Sequence, residues 1–199
     1  MGFKQTPSQT VGPYFAYGLT PRQYGYQFES IQGGEIAQPG ADGEHIRIEG
    51  RVFDGEGKPI NDAMIEIWQA NAHGRYNHPR DDRKDNLLDP EFRGFGRMGT
   101  GTREDNAFVF TTVKPGSVDG EQAPHLNVVV FMRGLLVHAY TRIYFSDEAA
   151  ANAADPVLSS VEEARRKTLI ARREDAPGGA LYRHDIRMQG KDETVFFDV

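Results

Sequence analysis

Three residues that could do chemistry lie in the stretch APHLNVVVFMR, residues 123–133: His125, Asn127 and Arg133. His125 and Asn127 stand two apart, so in a strand both side chains leave the same face. Polar groups on one face of a buried strand need partners, because each costs about 1–3 kcal/mol if left unsatisfied. Arg133 closes the stretch as a permanent charge at the rim of a core. Tyr76 joins them by chemistry, since a phenolate oxygen and an imidazole nitrogen suit a hard trivalent ion such as Fe(III). A tyrosine with a reference pKa of about 10 ligates only when such a charge ionises it. Tyr76 and His125 are two ligands, with no third or fourth evident. Without partner ligands their simplest role is that of buried structural residues. For Arg133 taken alone, the simplest role is a surface ion pair worth about 0–1 kcal/mol.

The elements that must hold these residues are strands. Val128, Val129, Val130 and Phe131 read as a core strand buried on both faces, with Pro124 tolerated at its start. Alternation or β-branched enrichment predicts further strands over residues 45–53, 63–70, 107–113, 138–145, 181–189 and 194–199. Val195, Phe196 and Phe197 are expected to dock in the core. Residues 75–101 are charged, Gly-punctuated and without a period, and read as a long functional loop. Residues 149–154 form a short helical patch. Residues 160–173 read as the one substantial helix, with Ser160 and Glu163 as a capping box and Arg172 and Arg173 at its C-terminal dipole. Roughly seven or eight strands with one helix make a mainly β fold, an antiparallel or mixed β-sandwich forming a single domain over residues 45–199. Residues 1–44 read as an N-terminal arm and loop. Pro7, Gly12 and Pro13 forbid a helix there, while Tyr14, Phe15, Tyr17 and Leu19 make the arm apolar enough to pack on its own core or on another chain.

Composition removes several classes of function. A net charge of -6 with both signs interspersed gives no footprint for nucleic acid. The basic runs Arg165-Arg166-Lys167 and Arg172-Arg173 then read as a solvated helix face. No apolar run reaches membrane-spanning length and no signal-peptide core is evident, so the expected location is cytoplasmic. The absence of cysteine excludes disulfides and thiolate metal sites. There is no H-E-x-x-H pair, no G-x-S-x-G elbow and no Gly-rich phosphate loop. His73, His78 and His138 lack metal-site spacing, and Trp68 is most simply a core aromatic.

Five motifs occur in order: WQANAHGRYNH (68–78), DPEFRGFGR (89–97), TVKPG (112–116), APHLN (123–127) and TRIYF (141–145). Together they resemble the intradiol ring-cleaving dioxygenases, non-haem Fe(III) enzymes built on a β-sandwich. The start TPSQTVGPY (6–14) and the end HDIRMQGKDETVFFD (184–198) are similar to those of the family's α chains, which pair with iron-bearing β chains. The resemblance runs from residue 6 to residue 199. In the family, two tyrosines and two histidines hold the iron. One tyrosine matches Tyr76 and one histidine matches His125. The second histidine matches Asn127, the second tyrosine falls in Gly116-Ser117-Val118, and a family glutamine matches Arg142. The resemblance therefore implies no metal in this chain, with Tyr76, His125, Asn127 and Arg142 as degenerate positions, no catalytic residue in this chain alone, and Fe(III) bound by the partner β subunit. It further implies that Gly12, Pro13, Tyr14 and Arg133 help bind substrate at the contact with that subunit. Arg133 would hold the carboxylate of a small aromatic acid, 3,4-dihydroxybenzoate, by charge-assisted hydrogen bonds. The implied reaction is O2-dependent ring cleavage in aromatic catabolism, in the β-ketoadipate pathway, by a higher αβ oligomer with large obligate interfaces. Two other readings stay open: a self-sufficient intradiol dioxygenase with unusual ligands, and a non-enzymatic β-sandwich binding module.

Overall fold

A period of two along the chain decides which residues of each strand are covered. In β1 (His45–Phe53) Ile46, Ile48, Gly50 and Val52 are buried and the residues between them are more exposed. The computed structural model describes residue 12 and residues 17–199. After β1 come β2 (Met64–Trp68), β3 (Phe95–Gly99), β4 (Ala107–Val113), β5 (His125–Phe131) and β6 (Ala139–Phe145). Then follow β7 (Ile170–Ala176), β8 (Gly179–Arg183) and the short β9 (Ile186–Arg187). Hydrogen bonding runs in the order β3-β2-β5-β6-β7-β8-β1-β4, with β9 on the end of β1. The path has a thin seam, where β6 and β7 share the parallel pairs Tyr144–Ile170 and Phe145–Ala171.

The strands on either side of that seam fold over one core. Ile65, Ile67, Leu126, Val128, Val130 and Ile143 come from one side, and Ile46, Ile48, Val52, Phe108, Phe110 and Tyr182 from the other. This is the expected β-sandwich. Most pairings are antiparallel, but β1 and β8 run parallel, so the sheet is mixed. No helix among the described residues is long and apolar enough to cross a membrane.

Several local expectations are corrected. β5 is not buried on both faces. Leu126, Val128 and Val130 face the core, while Asn127, Val129 and Phe131 are only partly covered. An antiparallel sheet needs one covered face, and here the other remains open. Nor is there a long helix over residues 160–173. The chain forms α1 (Ala149–Ala154), α2 (Pro156–Ser160) and α3 (Glu163–Arg166), then a 3-10 turn, Lys167–Leu169. Val161 is extended, with ψ 140. Ser160 caps nothing at an N-terminus; its hydroxyl bonds the Val157 carbonyl at 2.7 Å. The cap is Asp155, which accepts the Leu158 N–H at 2.7 Å. Residues 170–176 are claimed by β7 because pairing at the seam outweighs local helix propensity.

The long loop 75–101 hides β3. Gly96 conceals its alternation, and packing demands that glycine: a Cβ there would lie 2.6 Å from Ile36 Cγ1. Residues 181–189 split into β8 and β9. The C-terminal residues form no strand beyond a bridge between Phe197 and Tyr140. Val195 and Phe197 nevertheless pack on the small cluster of Ala123, Tyr144, Leu158, Val161 and Leu169, and Phe196 packs on the main core.

Candidate functional site

The open face of β5 gathers Tyr76, His125, Asn127 and Arg142, the four positions expected to be degenerate. Trp68, at the end of β2, stacks on Tyr76 with ring centroids 5.6 Å apart and planes 15° apart. The Asn127 side-chain amide donates to the Tyr76 hydroxyl at 3.0 Å. Register places Asn127 directly opposite Arg142, and His125 opposite Tyr144, across β5 and β6. Arg142 donates to Gln122 Oε1 at 2.8 Å and to the Tyr144 hydroxyl at 3.3 Å. His125 is 4% exposed, and its Nδ1 lies 2.8 Å from the Ala123 carbonyl. A carbonyl only accepts, so this bond fixes the proton on Nδ1.

Burial decides the charge state of the pocket's titratable groups. Desolvation raises the Tyr76 pKa, outweighing the Asn127 hydrogen bond and the Arg142 charge that pull the other way. Burial lowers the His125 pKa, and the Arg142 charge adds to the effect. Tyr144 is pushed up to about 12 by burial. Tyr76, His125 and Tyr144 are thus all held toward their neutral forms, with the Arg142 guanidinium beside them.

These residues do not fit a trivalent metal ion. The Asn127 NH2 points at the tyrosine oxygen where a ligand lone pair would be required. Arg142 puts a fixed cation beside it. In the stretch 116–118, the Ser117 hydroxyl donates to the Gln122 carbonyl at 2.7 Å. Among the described residues, no group of three or more His, Asp or Glu could hold a metal ion. His73 pairs with Asp42 at 3.2 Å, His78 sits edge-on to Trp68, and His138 Nε2 meets the Tyr140 hydroxyl at 2.6 Å.

Arg133 belongs to a different place. It lies just past β5, in a turn closed by the Leu135 N–H to the Met132 carbonyl at 3.3 Å, with Gly134 at φ 86. Its side chain is 77% exposed, and its Nε pairs with Asp62. Arg133, Asp62, Gly12, Tyr24, Arg103 and Glu104 help line a cavity of about 550 Å³. Gly12 and Arg133, which the sequence resemblance joined, therefore meet at one cavity. Tyr76 lines a second hollow of about 390 Å³ with Trp68, His78 and Arg83. Pro13 and Tyr14 lie outside the described residues. Sequence reasoning missed Gln122, Tyr144 and Asp62, since each acts through a partner on another element and none stands in a recognisable spacing.

The Dioxygenase family model matches residues 12–190. A protocatechuate 3,4-dioxygenase alpha chain from Burkholderia cepacia is 57% identical over 197 residues, 98% of each chain. The chain belongs to the intradiol dioxygenase family. Within it, a protocatechuate 3,4-dioxygenase alpha chain from Pseudomonas putida is 44% identical over 200 residues, 98% of this chain and 96% of that one. A protocatechuate 3,4-dioxygenase beta chain from Burkholderia cepacia is 34% identical over 191 residues, 91% of this chain and 77% of that one. Among solved structures, the dioxygenase domain of a carbohydrate-binding fusion from Streptomyces sp. SirexAA-E superposes with TM-score 0.60 at 20% identity, covering 94% of this chain and 99% of that one. That likeness concerns the fold, and it agrees with the β-sandwich. The family is iron-dependent.

Proposed function

We propose that this chain is the non-iron α subunit of a protocatechuate 3,4-dioxygenase. The observation that carries this is the 57% identity, over 98% of both chains, to an alpha chain of that enzyme, against 34% to a beta chain. The enzyme's reaction is O2-dependent cleavage of 3,4-dihydroxybenzoate between its two hydroxyl-bearing carbons, giving 3-carboxy-cis,cis-muconate. Fe(III) is held by the β subunit, with which this chain forms a higher αβ oligomer in the cytoplasm. The Asn127 amide on the Tyr76 hydroxyl and the Arg142 guanidinium beside it support a chain without iron. Arg133 supplies guanidinium N–H groups for the substrate carboxylate, and Gly12, Pro13 and Tyr14 form the arm that meets the β subunit.

Co-expression with an iron-bearing β chain tests this. The chain alone is expected to be colourless and inactive, and the complex active. Arg133→Ala in the complex is expected to raise KM for 3,4-dihydroxybenzoate and lower kcat/KM. Iron, with the burgundy colour of phenolate bound to Fe(III), in the chain expressed alone would instead establish a self-sufficient enzyme.

A further inference from the structure

The turn that carries Arg133 has little to hold it. Gly134, Leu136 and Val137 are exposed, Leu136 by 80%. An arginine on such a turn spreads over many rotamers, and ordering a long side chain costs up to about 2 kcal/mol. Asp62 narrows that freedom. Its side chain is 17% exposed, and it forms an ion pair with Arg133 at Nε.

Asp62 is itself on a fixed platform. The next residue, Ala63, takes a hydrogen bond from the Thr100 N–H at 2.8 Å and gives its own N–H to Thr100 Oγ1 at 3.1 Å. The preceding residue, Asn61, accepts the Gln23 side-chain amide at 3.1 Å. Gly101, in the 3-10 turn Thr100–Thr102, allows this close approach, since a Cβ would lie 2.2 Å from the Asn61 carbonyl. A guanidinium has two edges that suit a carboxylate. The Asp62 ion pair meets the guanidinium at Nε, and both residues line the cavity, so the Nη1/Nη2 edge is the one open to a further carboxylate.

We infer that Asp62 is a positioning residue that orients Arg133 so that its Nη1/Nη2 edge receives the substrate carboxylate. This rests on the assignment of Arg133 to substrate binding made above. Asp62 pre-orders the arginine before substrate arrives, and preorganisation of this kind appears in KM.

The test uses the assembled complex of this chain with its iron-bearing partner. Asp62→Asn, Asp62→Glu and Arg133→Ala are compared with 3,4-dihydroxybenzoate and with catechol, which lacks the carboxylate. Asp62→Asn is expected to raise KM for 3,4-dihydroxybenzoate by about three- to tenfold with kcat within about twofold, and to leave catechol turnover unchanged. Asp62→Glu is expected to restore part of the loss, because it keeps the charge. Equal loss with both substrates would show a structural role and overturn the inference. So would an unchanged or lowered KM in Asp62→Asn while Arg133→Ala raises it. If Arg133→Ala also leaves KM unchanged, the assignment of Arg133 fails, and this inference with it.

Discussion

The Asn127 amide donates its hydrogen to the Tyr76 hydroxyl at 3.0 Å, and that contact limits what both residues can do. The oxygen lone pair that a metal would use is occupied by a donor. The tyrosine, its pKa raised by burial, keeps its proton. Trp68 holds the ring from one side, so the pair behaves as packing with a polar centre.

Tyr76→Phe removes the acceptor and leaves the Asn127 amide partly buried without it. A loss of about 1–3 kcal/mol in unfolding free energy is expected from urea denaturation. The double variant Tyr76→Phe/Asn127→Leu should lose less than the two single variants together, by roughly 1 kcal/mol. Strict additivity would show that the hydrogen bond adds nothing.

Asp155 gives a larger effect. Its carboxylate has 0% exposure and accepts the Leu158 N–H at 2.7 Å, the Ala123 N–H at 2.8 Å and the Tyr144 hydroxyl at 3.2 Å. It therefore joins the cap of α2 to the start of β5 and to β6. Asp155→Ala strands three donors at once and is expected to lose about 3 kcal/mol or more. Asp155→Asn should fall between, since its amide offers one acceptor oxygen in place of two. A chemical denaturation midpoint unchanged in Asp155→Ala would refute this account.

Acid should weaken the fold through His184. It lies between β8 and β9 at 5% exposure, and among the described residues its Nε2 has no hydrogen-bond partner. Burial lowers its pKa from 6.5 to about 4. The unfolded chain therefore binds the proton more readily than the folded one. The stability tied to the neutral ring is complete above about pH 6.5 and is lost progressively as the pH falls toward 4. The full window corresponds to about 3 kcal/mol. Unfolding free energies at pH 7 and pH 4.5 should differ more in the natural chain than in His184→Asn. Parallel losses in the two proteins would exclude His184 as the cause.

β1 appears residue for residue where alternation places it, because it has one covered face that the period of two reports directly. β3 escapes notice because Gly96 and Gly99 are required by close approach of Ile36 and Gln23 and carry no hydrophobic signal. β7 is masked by a helix-like composition that sheet pairing overrules. At the site, the chemical types of Tyr76 and His125 were visible, but the pairing of Asn127 with Arg142 needed a register between strands. Asp62 could not be read at all, since its meaning lies in a turn far along the chain.

Arg142 sits on the same strand pair as Asn127 and is locked by Gln122 and Tyr144. The positive charge at this place is encoded in the polypeptide and arrives when β5 and β6 zip together. The order of this pocket is thus supplied by the polypeptide itself.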